Sequence, residues 1–578
     1  MATQPSAGKF KIDIDGTALP DDVDHMLRSA IVDDNLNQPD MFILTFVDSQ
    51  RQVLAKTKVK IGSKVKISAV SDLAPAGDVL LGGEVTALEI EHDTSGTYTI
   101  IRGYDSSHRL FRGRTTDTYL NVTYSDVAKK VAQRDGLDPG QIDSLTTVHP
   151  HVSQGNLNDW QFLQLLARDV GFEVAVTDGK LNFRKPTTSD DAPADGDLTN
   201  TSNPLQLTLG AHLLRLHSIV TSAEQVGQVE VRGWDPKQKK HVTASAPATT
   251  TTADIGVKPE TLATTFGTRK MVGTSVPYAT AAEVDSASKA MAEHLAGSFA
   301  EVEGLARGNS KLKAGSPISL SLLGDPFDGK YTLTSTRHIY DPHEGYTTAF
   351  TVSGRNQRSL LGLASGGGSS GPSAAGSTMA GVVPAIVTDV NDPEDTGRIK
   401  IKFPWISDTF VSDWARMSQI GAGNDRGAVF LPEVDDEVLV AFEQGDFRRP
   451  YVIGGLYNGV DKPKLGSGLI DGSSGAVKRR GLRSKHGHQL VFFDDDSKDG
   501  VALMTGDNNM RISLNKGTTT VKVTSSGEIK IEGTKDVSIK GGANMTFEAT
   551  SKLSLKGASV EITGNSGVTV TGVPIKLN

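Results

Sequence analysis

Apolar and polar residues alternate in a regular repeat over the last part of the chain. From Ile512 to residue 578, two apolar residues separated by one polar residue return about every eight residues. A period of two predicts short β-strands, and an interval of eight residues holds one strand and one corner. The apolar residues that we predict to form the core of this array are Val521, Val523, Ile529, Ile531, Val537, Ile539, Met545, Phe547, Leu553, Leu555, Val560, Ile562, Val568 and Val570.

Glycine residues mark the corners of the same array. In many of the repeats a glycine stands four residues after the first apolar residue of the pair. Glycine adopts positive φ angles without strain, and a tight corner often requires such an angle. The predicted corner residues are Gly533, Gly541, Gly557, Gly564 and Gly572.

A single copy of this array would leave its apolar side uncovered. Eight residues are too few to wrap around a core, yet burial of one Val, Leu or Ile side chain contributes about 1.5–3 kcal/mol. Intertwined copies would place the apolar pairs inside and the Thr, Ser, Lys and Glu side chains outside. The repeat therefore predicts an intertwined trimeric β-helix, or prism, over residues 482–578.

The first part of the chain shows shorter alternating runs. Residues 10–114 alternate with period two and are broken by Gly, Asp and Pro, which predicts a β-barrel or sandwich. The period then becomes helical, with Ser125 as the expected N-cap of a first helix and Asn158 or Asp159 as that of a second. Strands at 172–176 and 181–183 complete an α+β segment.

Residues 205–234 return to β alternation, and an insertion interrupts the second β domain, which extends to residue 361. The Thr-rich stretch 243–275 is expected to be a loop or insertion, and the alanine-rich stretch 279–299 is expected to be a helix. Strands are expected at 318–322, 331–340 and 347–353.

Two stretches rich in Gly and Ser enclose a compact block. The linkers are expected at 362–381 and 460–481. Between them, short apolar runs at 383–388, 398–403, 414–417, 438–442 and 451–456 predict strands, and five short strands in so few residues are typical of an OB barrel.

The predicted fold is mainly β with an α+β part. The predicted domains are a first β-barrel (1–115), an α+β domain (116–200), a second β-barrel with a helical insertion (201–361), a linker (362–381), an OB-fold (382–459), a second linker (460–481) and the trimeric β-helix (482–578).

Length and composition narrow the possible functions. A chain of 578 residues exceeds the size of one core, and a formal charge of -8 without a basic stripe disfavours a specific nucleic-acid partner. Cysteine is absent, so disulfides and thiolate metal sites are excluded. The N-terminus lacks a signal-peptide core, so we expect synthesis in the cytoplasm without a signal peptide.

Motifs in the OB block and upstream of it resemble one known family. The segments 395–405, 414–417, 431–434, 436–442 and 445–450 resemble the OB domain of VgrG spike proteins and of phage baseplate needle proteins, while 102–110 and 160–174 resemble the hub domain of that family. The OB residues that carry the resemblance are Gly397, Arg398, Phe403, Pro404, Trp405, Trp414, Arg416, Pro432, Gly445, Asp446 and Pro450.

The resemblance implies the spike of a contractile injection machine. Its β-barrel domains would form a hub on the inner tube protein, in contact with baseplate proteins, and its needle would puncture the target cell envelope as part of an assembled or released particle. A phage tail, a type VI apparatus and an extracellular particle all fit. We expect no lysozyme domain between OB barrel and needle and no effector after residue 578, so a separate PAAR-type tip protein or effector would cover the needle end.

Fragments that imitate catalytic or metal-binding motifs have simpler interpretations. Residues 367–371 fit G-x-S-x-G inside a linker, and 324–330 approach a P-loop before a strand instead of a helix. The histidine pairs 149/151 and 486/488 lack a full zinc ligand set, and the acidic run 389–395 is expected to be a solvated turn. We therefore predict no catalytic, cofactor or metal site.

Three alternatives remain open on sequence alone. The aromatic residues Phe403, Trp405, Phe410 and Trp414 could form a stacking platform for an oligonucleotide or sugar, although filling of the barrel is favoured. A trimeric receptor-binding fibre or adhesin would share the repeat. A cell-envelope-degrading enzyme is the third alternative.

Overall fold

The computed structural model describes residues 8–71, 74–177, 179–195, 203–354, 379, 381–466, 468–495 and 498–576. The chain divides into two compact units, Met1–Asp461 and Lys462–Asn578. The predicted linker 362–381, apart from Met379 and Gly381, and with it the G-x-S-x-G fragment, lies outside the described residues. Among the helices of the described ranges, none is both long and apolar enough to cross a membrane.

The N-terminal segment is built from strands, as its alternation predicts. Its elements are β1 (Lys9–Ile14), β2 (Thr17–Ala18), α1 (Asp21–Asp24), β3 (Leu27–Asn35), β4 (Met41–Val47), α2 (Val53–Thr57), β5 (Lys64–Ser71), β6 (Ala74–Asp93), β7 (Gly96–Tyr104) and β8 (Thr115–Val122).

The following α+β segment contains the two predicted helices. Its elements are α3 (Tyr124–Arg134), β9 (Asp138–Ile142), β10 (His149–Leu157), α4 (Asp159–Val170), β11 (Glu173–Thr177) and β12 (Lys180–Arg184).

The sequence predicted the N-cap of α4 correctly and the N-cap of α3 wrongly. Asn158 caps α4 by accepting a hydrogen bond from the backbone N of Gln161 at 2.8 Å, as predicted. The prediction of Ser125 as the cap of α3 is wrong. Thr123 takes that position, because Asp126 completes a reciprocal capping box with it, while Ser125 is buried and donates to the Asp143 carbonyl at 2.7 Å.

Residues 203–354 form the third segment of the first unit. Its elements are β13 (Gln206–Thr208), β14 (Leu213–Val220), β15 (Gln228–Asp235), β16 (Lys240–Pro247), β17 (Ala253–Ile255), α5 (Pro259–Thr264), β18 (Lys270–Gly273), α6 (Ala281–Ala296), β19 (Ala300–Arg307), β20 (Pro317–Ser321), β21 (Gly329–Thr332), β22 (Ser335–Asp341) and β23 (Gly345–Val352).

The stretch 243–275 is not the loop that its polar composition indicated. Strand β16 continues to Pro247 in a hairpin with β15, and β17, α5 and β18 follow. Threonine has high β propensity, and α6 covers part of this small sheet through an apolar core that includes Val229 and Val284.

Strands from both predicted barrels join in one sheet of eleven strands. Its order is β14-β19-β23-β22-β3-β4-β7-β6-β5-β1-β2. The two halves meet where β22 pairs with β3 in antiparallel register, and Arg337 binds both carboxylate oxygens of Asp33 at 2.5 and 2.7 Å across that pairing. Smaller sheets hold the remaining strands of the segment.

The OB block folds as a five-stranded sheet. Its strands are β24 (Val382–Asp389), β25 (Lys400–Lys402), β26 (Arg416–Met417), β27 (Glu437–Phe442) and β28 (Pro450–Gly455), in the order β25-β24-β27-β28-β26. The predicted fold class, mainly β with an α+β part, is confirmed.

The second unit begins with an antiparallel sheet made by one chain. Its strands, in both sequence and sheet order, are β29 (Arg479–Arg483), β30 (Gln489–Phe493), β31 (Gly500–Met504), β32 (Met510–Asn515) and β33 (Thr520–Ser525). The expectation that strands interlock between chains from the start of the needle is therefore wrong for 479–525. Connections of four to six residues between these strands let each strand pair with its neighbour in the same chain.

Candidate assembly interface

One face of the sheet in the second unit is apolar. Strand register places Leu482, Leu490, Leu503, Ile512 and Val523 in one row across the five strands. A second row on the same face contains Phe492, Val501, Leu514 and Val521. We call these nine residues the apolar face.

The apolar face is largely open in one chain. Leu503 is 55% exposed and Ile512 is 47% exposed. The opposite face of the sheet carries Arg511, Ser513 and Lys522 and buries Val491 and Ala502. An exposed apolar face of this extent marks an interaction surface.

Beyond Ser525 the chain keeps its period without forming strands of its own. Bends recur at 534–535, 542–543, 550–551, 557–558, 565–566 and 573–574, which is the eight-residue interval of the apolar pairs. All of the predicted core side chains are exposed, from 45% at Met545 to 71% at Ile531. We call residues 526–576 the repeat segment.

The predicted corner glycines lie at or next to these bends, but not for the expected reason. None of Gly533, Gly541, Gly557, Gly564 and Gly572 has a positive φ angle. A Cβ atom on Gly564 would instead lie 2.3 Å from the Gly567 carbonyl oxygen, and one on Gly541 would lie 2.9 Å from that of Asn544. A Cβ atom on Gly557 would lie 3.0 Å from the Ser559 carbonyl oxygen and one on Gly533 3.1 Å from that of Asp536, whereas the nearest atom at Gly572 is 3.9 Å away. Close approach of a backbone oxygen therefore requires glycine at Gly564 and Gly541 and leaves little space for a Cβ atom at Gly557 and Gly533.

Aromatic rings fill the OB barrel. Phe403 is fully buried, with its ring centroid 6.0 Å from that of Phe410, 5.7 Å from Phe442 and 5.5 Å from Phe447. Phe403 and Phe410 are therefore unavailable as a stacking platform, in agreement with the favoured interpretation.

The two tryptophans of the OB motif lie near the barrel surface. Trp405 is 52% exposed and its indole Nε1 donates to the Pro384 carbonyl at 3.0 Å. The Lys400 ammonium lies 4.8 Å from the Trp414 ring centroid, which is cation–π geometry.

The acidic run before β25 is organised by Arg398. The carboxylate of Asp392 accepts bonds from the Arg398 guanidinium at 2.6 Å and from the Thr396 hydroxyl at 2.7 Å. The hydrogen bonds from Arg398 hold the pKa of Asp392 well below its ordinary value. Gly397 adopts φ of 75°, which lets the turn close. The Asp392 carboxylate therefore holds the turn together through these hydrogen bonds.

The remaining motif residues support the ends of strands. Arg416 lies over the Tyr451 ring at 5.5 Å, and Pro450 begins β28. Gly445 has φ of 80° in the turn after β27, and Asp446 in that turn is buried. Pro404 follows the buried Phe403, and Pro432 lies in the exposed loop before β27.

The histidine pairs do not form ligand sets. The His149 ring stacks on Tyr124 with centroids 4.3 Å apart, and His151 Nε2 donates to the Val411 carbonyl at 3.0 Å. His488 Nδ1 accepts from the Gly506 backbone N at 3.2 Å. Throughout the described ranges, no group of three or more His, Asp or Glu side chains could hold a metal ion. Residues 324–328 form a turn, and residues 329–330 already belong to strand β21.

Half of the apolar face was not identified from the sequence. Leu490, Phe492, Val501 and Leu503 continue the same alternation of apolar and polar positions toward the N-terminus. Their spacing departs from eight residues, because antiparallel hairpins need turns of different length. The alternation alone would have identified them.

Comparisons with known proteins agree with this architecture. Residues 383–457 match the family described as the type VI secretion system and phage-baseplate injector OB domain. The type VI secretion system spike protein VgrG2a of Pseudomonas aeruginosa is 29% identical over 117 residues, which is 19% of this chain and 14% of that protein. The spike protein VgrG3 of Vibrio cholerae is 30% identical over 108 residues, which is 18% of this chain and 10% of that protein. The matched segments are thus a small part of these relatives.

Solved structures support the fold over most of the chain. A VgrG-containing structure from Francisella, the half-lidded PdpA-VgrG complex, has a TM-score of 0.52 at 12% identity and covers 90% of this chain and 89% of that chain. The lidded form has a TM-score of 0.51 at 11% identity, with 90% and 81% covered.

These comparisons confirm the predicted resemblance to VgrG-like spike proteins. Residues 5–341 match the family model of the Alg8 N-terminal domain. Since that match spans more than half of the 578 residues, the chain belongs to the family defined by this domain.

Proposed function

We propose that this chain is the structural spike of a contractile injection machine and works as a homotrimer. The observation that carries the proposal is the continuity of exposed apolar residues from the apolar face through the repeat segment. A monomer with this surface would aggregate, whereas three copies could bury it on a common axis.

The two parts of the second unit suggest how three copies would meet. Three five-stranded sheets, one from each chain, would form the sides of a prism with their apolar faces inward. The repeat segment has unpaired backbone groups and corners every eight residues, so its strands would pair between chains. Such pairing closes strand edges and stiffens the needle.

The first unit would attach this needle to the machine. The hub would sit on the inner tube protein and contact baseplate proteins, and sheath contraction would drive the trimer through the target cell envelope. A separate tip protein of the PAAR kind, or an effector, would be carried at the tip of the needle. The chain would be made in the cytoplasm and act in the assembled particle.

The proposed role is mechanical and not enzymatic. One curated relative, VgrG1 of Vibrio cholerae, is named an actin cross-linking toxin, so relatives of this kind can carry an activity. The groups singled out here as candidate chemistry instead have structural partners, as Asp392, His149 and His151 show.

The experiment compares two neighbouring substitutions in the native machine. Ile539→Asp places a charge on the predicted inner side, and Ser538→Asp places the same charge on the predicted outer side. We expect that only Ile539→Asp prevents incorporation of the spike into the machine and delivery of cargo to the target cell. Equal delivery by both variants would contradict the proposal, and saturable binding of the purified chain to whole cells without any injection machine would favour a fibre.

A further inference from the structure

A charged contact joins the OB barrel to the α+β segment. Arg448, in the turn after β27, donates to Asp446 of the same turn at 2.9 Å and to Asp169 in the last turn of α4 at 3.2 Å. The side chains of Arg448, Asp169 and Asp446 are 23%, 15% and 8% exposed. One guanidinium is thus held between a carboxylate of each domain.

The pKa directions agree with a charged Arg448. Burial would raise the pKa of Asp446, yet the charge and hydrogen bonds of Arg448 hold it below its ordinary value. Burial raises the pKa of Asp169, and Arg448 opposes that rise. A buried cation with two anionic partners costs more to pull apart than an exposed pair.

Residues beside Arg448 join the OB barrel to two further elements of the first unit. Phe447 belongs to the aromatic core of the OB barrel and lies against Gly155 of β10, where a Cβ atom would be 2.3 Å from its ring. On the other side, Arg449 donates to Glu283 at 3.4 Å, and Glu283 also caps helix α6. Three consecutive residues, 447–449, therefore touch three different elements of the hub.

Other contacts between the OB barrel and the hub are weaker. His151 Nε2 and the Thr118 hydroxyl donate to the Val411 carbonyl at 3.0 and 3.4 Å, and neither bond joins two charged groups. A second ion pair, Lys237 with Glu394, is 72% and 43% exposed, and exposed pairs contribute little. The charged and largely buried contact of residues 447–449 therefore contributes most to the alignment of the barrel on the hub.

We infer that Arg448, clamped between Asp446 and Asp169, is a positioning residue that holds the OB barrel on the hub and passes axial load between them. The inference rests on the proposed spike function for the load, but the alignment itself can be measured on the purified chain.

The test uses the absence of native cysteine to place spin labels. Cysteines at Lys129 of α3 and Asp425 of the OB barrel, both exposed, report the distance between the domains within one chain when labelled chains are diluted with unlabelled ones. We expect a narrow distance distribution for the otherwise unchanged protein, and one about twofold broader for Arg448→Met. Arg416→Met, which removes an arginine that lies over Tyr451 inside the OB barrel, should keep the narrow distribution.

Two further variants keep the result decisive. If Arg448→Met fails to fold, Asp169→Asn, which keeps the side-chain shape, should broaden the distribution, and Arg448→Lys should give an intermediate width. An unchanged distribution in Asp169→Asn and Arg448→Met overturns the inference. Broadening with undiminished delivery by the machine overturns the load-transmitting role and leaves the spike proposal intact. A monomeric native protein would contradict the spike proposal without changing the distance result.

Discussion

Leu503 of β31 lies directly opposite Ile512 of β32 in the antiparallel sheet of one chain, and both side chains are about half exposed. Cross-strand pairs of this kind stabilise a sheet, but one side of this pair remains open. If three copies close that side, Leu503→Asp would bury like charges near a three-fold axis. We expect loss of the trimer by light scattering. Ser513→Asp on the opposite face of the same sheet is the control and should keep the native mass.

Corner glycines should differ in their tolerance of alanine. Gly564→Ala would force a Cβ atom to within 2.3 Å of a carbonyl oxygen, whereas the nearest atom at Gly572 is 3.9 Å away. We expect Gly564→Ala to lower the melting temperature of the needle and Gly572→Ala to leave it unchanged. Equal melting temperatures would show that the corner geometry is different in the assembly.

The buried aromatic centre of the OB barrel should dominate its stability. Phe403→Ala removes a fully buried ring and should cost about 3–5 kcal/mol of unfolding free energy. Trp405→Ala, at a side chain that is 52% exposed, should cost clearly less. Urea unfolding of the two variants checks the difference, and the reverse order would mean that Trp405 is covered in the native protein.

Three acidic residues of the hub predict a pH dependence. Asp34 hydrogen bonds Asp40, and the backbone N of Asp105 donates to the Asp40 carbonyl at 2.9 Å. Burial raises the pKa of Asp34 to about 6 and that of Asp105 to about 7, and it raises the pKa of Asp40 as well. These folded-state pKa values exceed the unfolded-state values, which are near 4. At pH values between the two, the folded hub therefore binds more protons than the unfolded chain does.

Hub stability should therefore fall as pH rises from about 4 through about 7, the range set by Asp34 and Asp105. We expect urea unfolding to show a hub that is less stable at pH 8 than at pH 5, and Asp40→Asn to reduce the difference. Asp425→Asn, at an exposed OB position, should leave the difference intact. A hub more stable at pH 8 would contradict this account.

Local patterns account for what the sequence could predict. The eight-residue interval around Val537 and Ile539 identified the repeat segment, and the apolar runs of the OB block identified its strands, because both depend on neighbours in sequence. The N-cap of α3 was harder to predict, because Thr and Ser are both common N-cap residues. The capping box that Thr123 forms with Asp126 decides between Thr123 and Ser125.

Long-range contacts lay outside those patterns. The pairing of Asp33 with Arg337 joins the two halves of the hub sheet, and that of Asp169 with Arg448 joins hub and barrel, yet each links residues hundreds of positions apart. No periodicity encodes such a pairing. The corner glycines were predicted correctly in position but for the wrong reason. The sequence shows where a residue has no Cβ atom, but it does not show whether a positive φ angle or a close backbone contact makes glycine necessary there.

The native mass of the 578-residue chain tests the central claim most directly. Native mass spectrometry of the purified protein should give three times the 61.3 kDa of one chain. The variants Leu503→Asp and Ile539→Asp should each give the mass of a single chain. A monomer in the unmodified protein, with the apolar face and the repeat segment still accessible to solvent, would contradict the account.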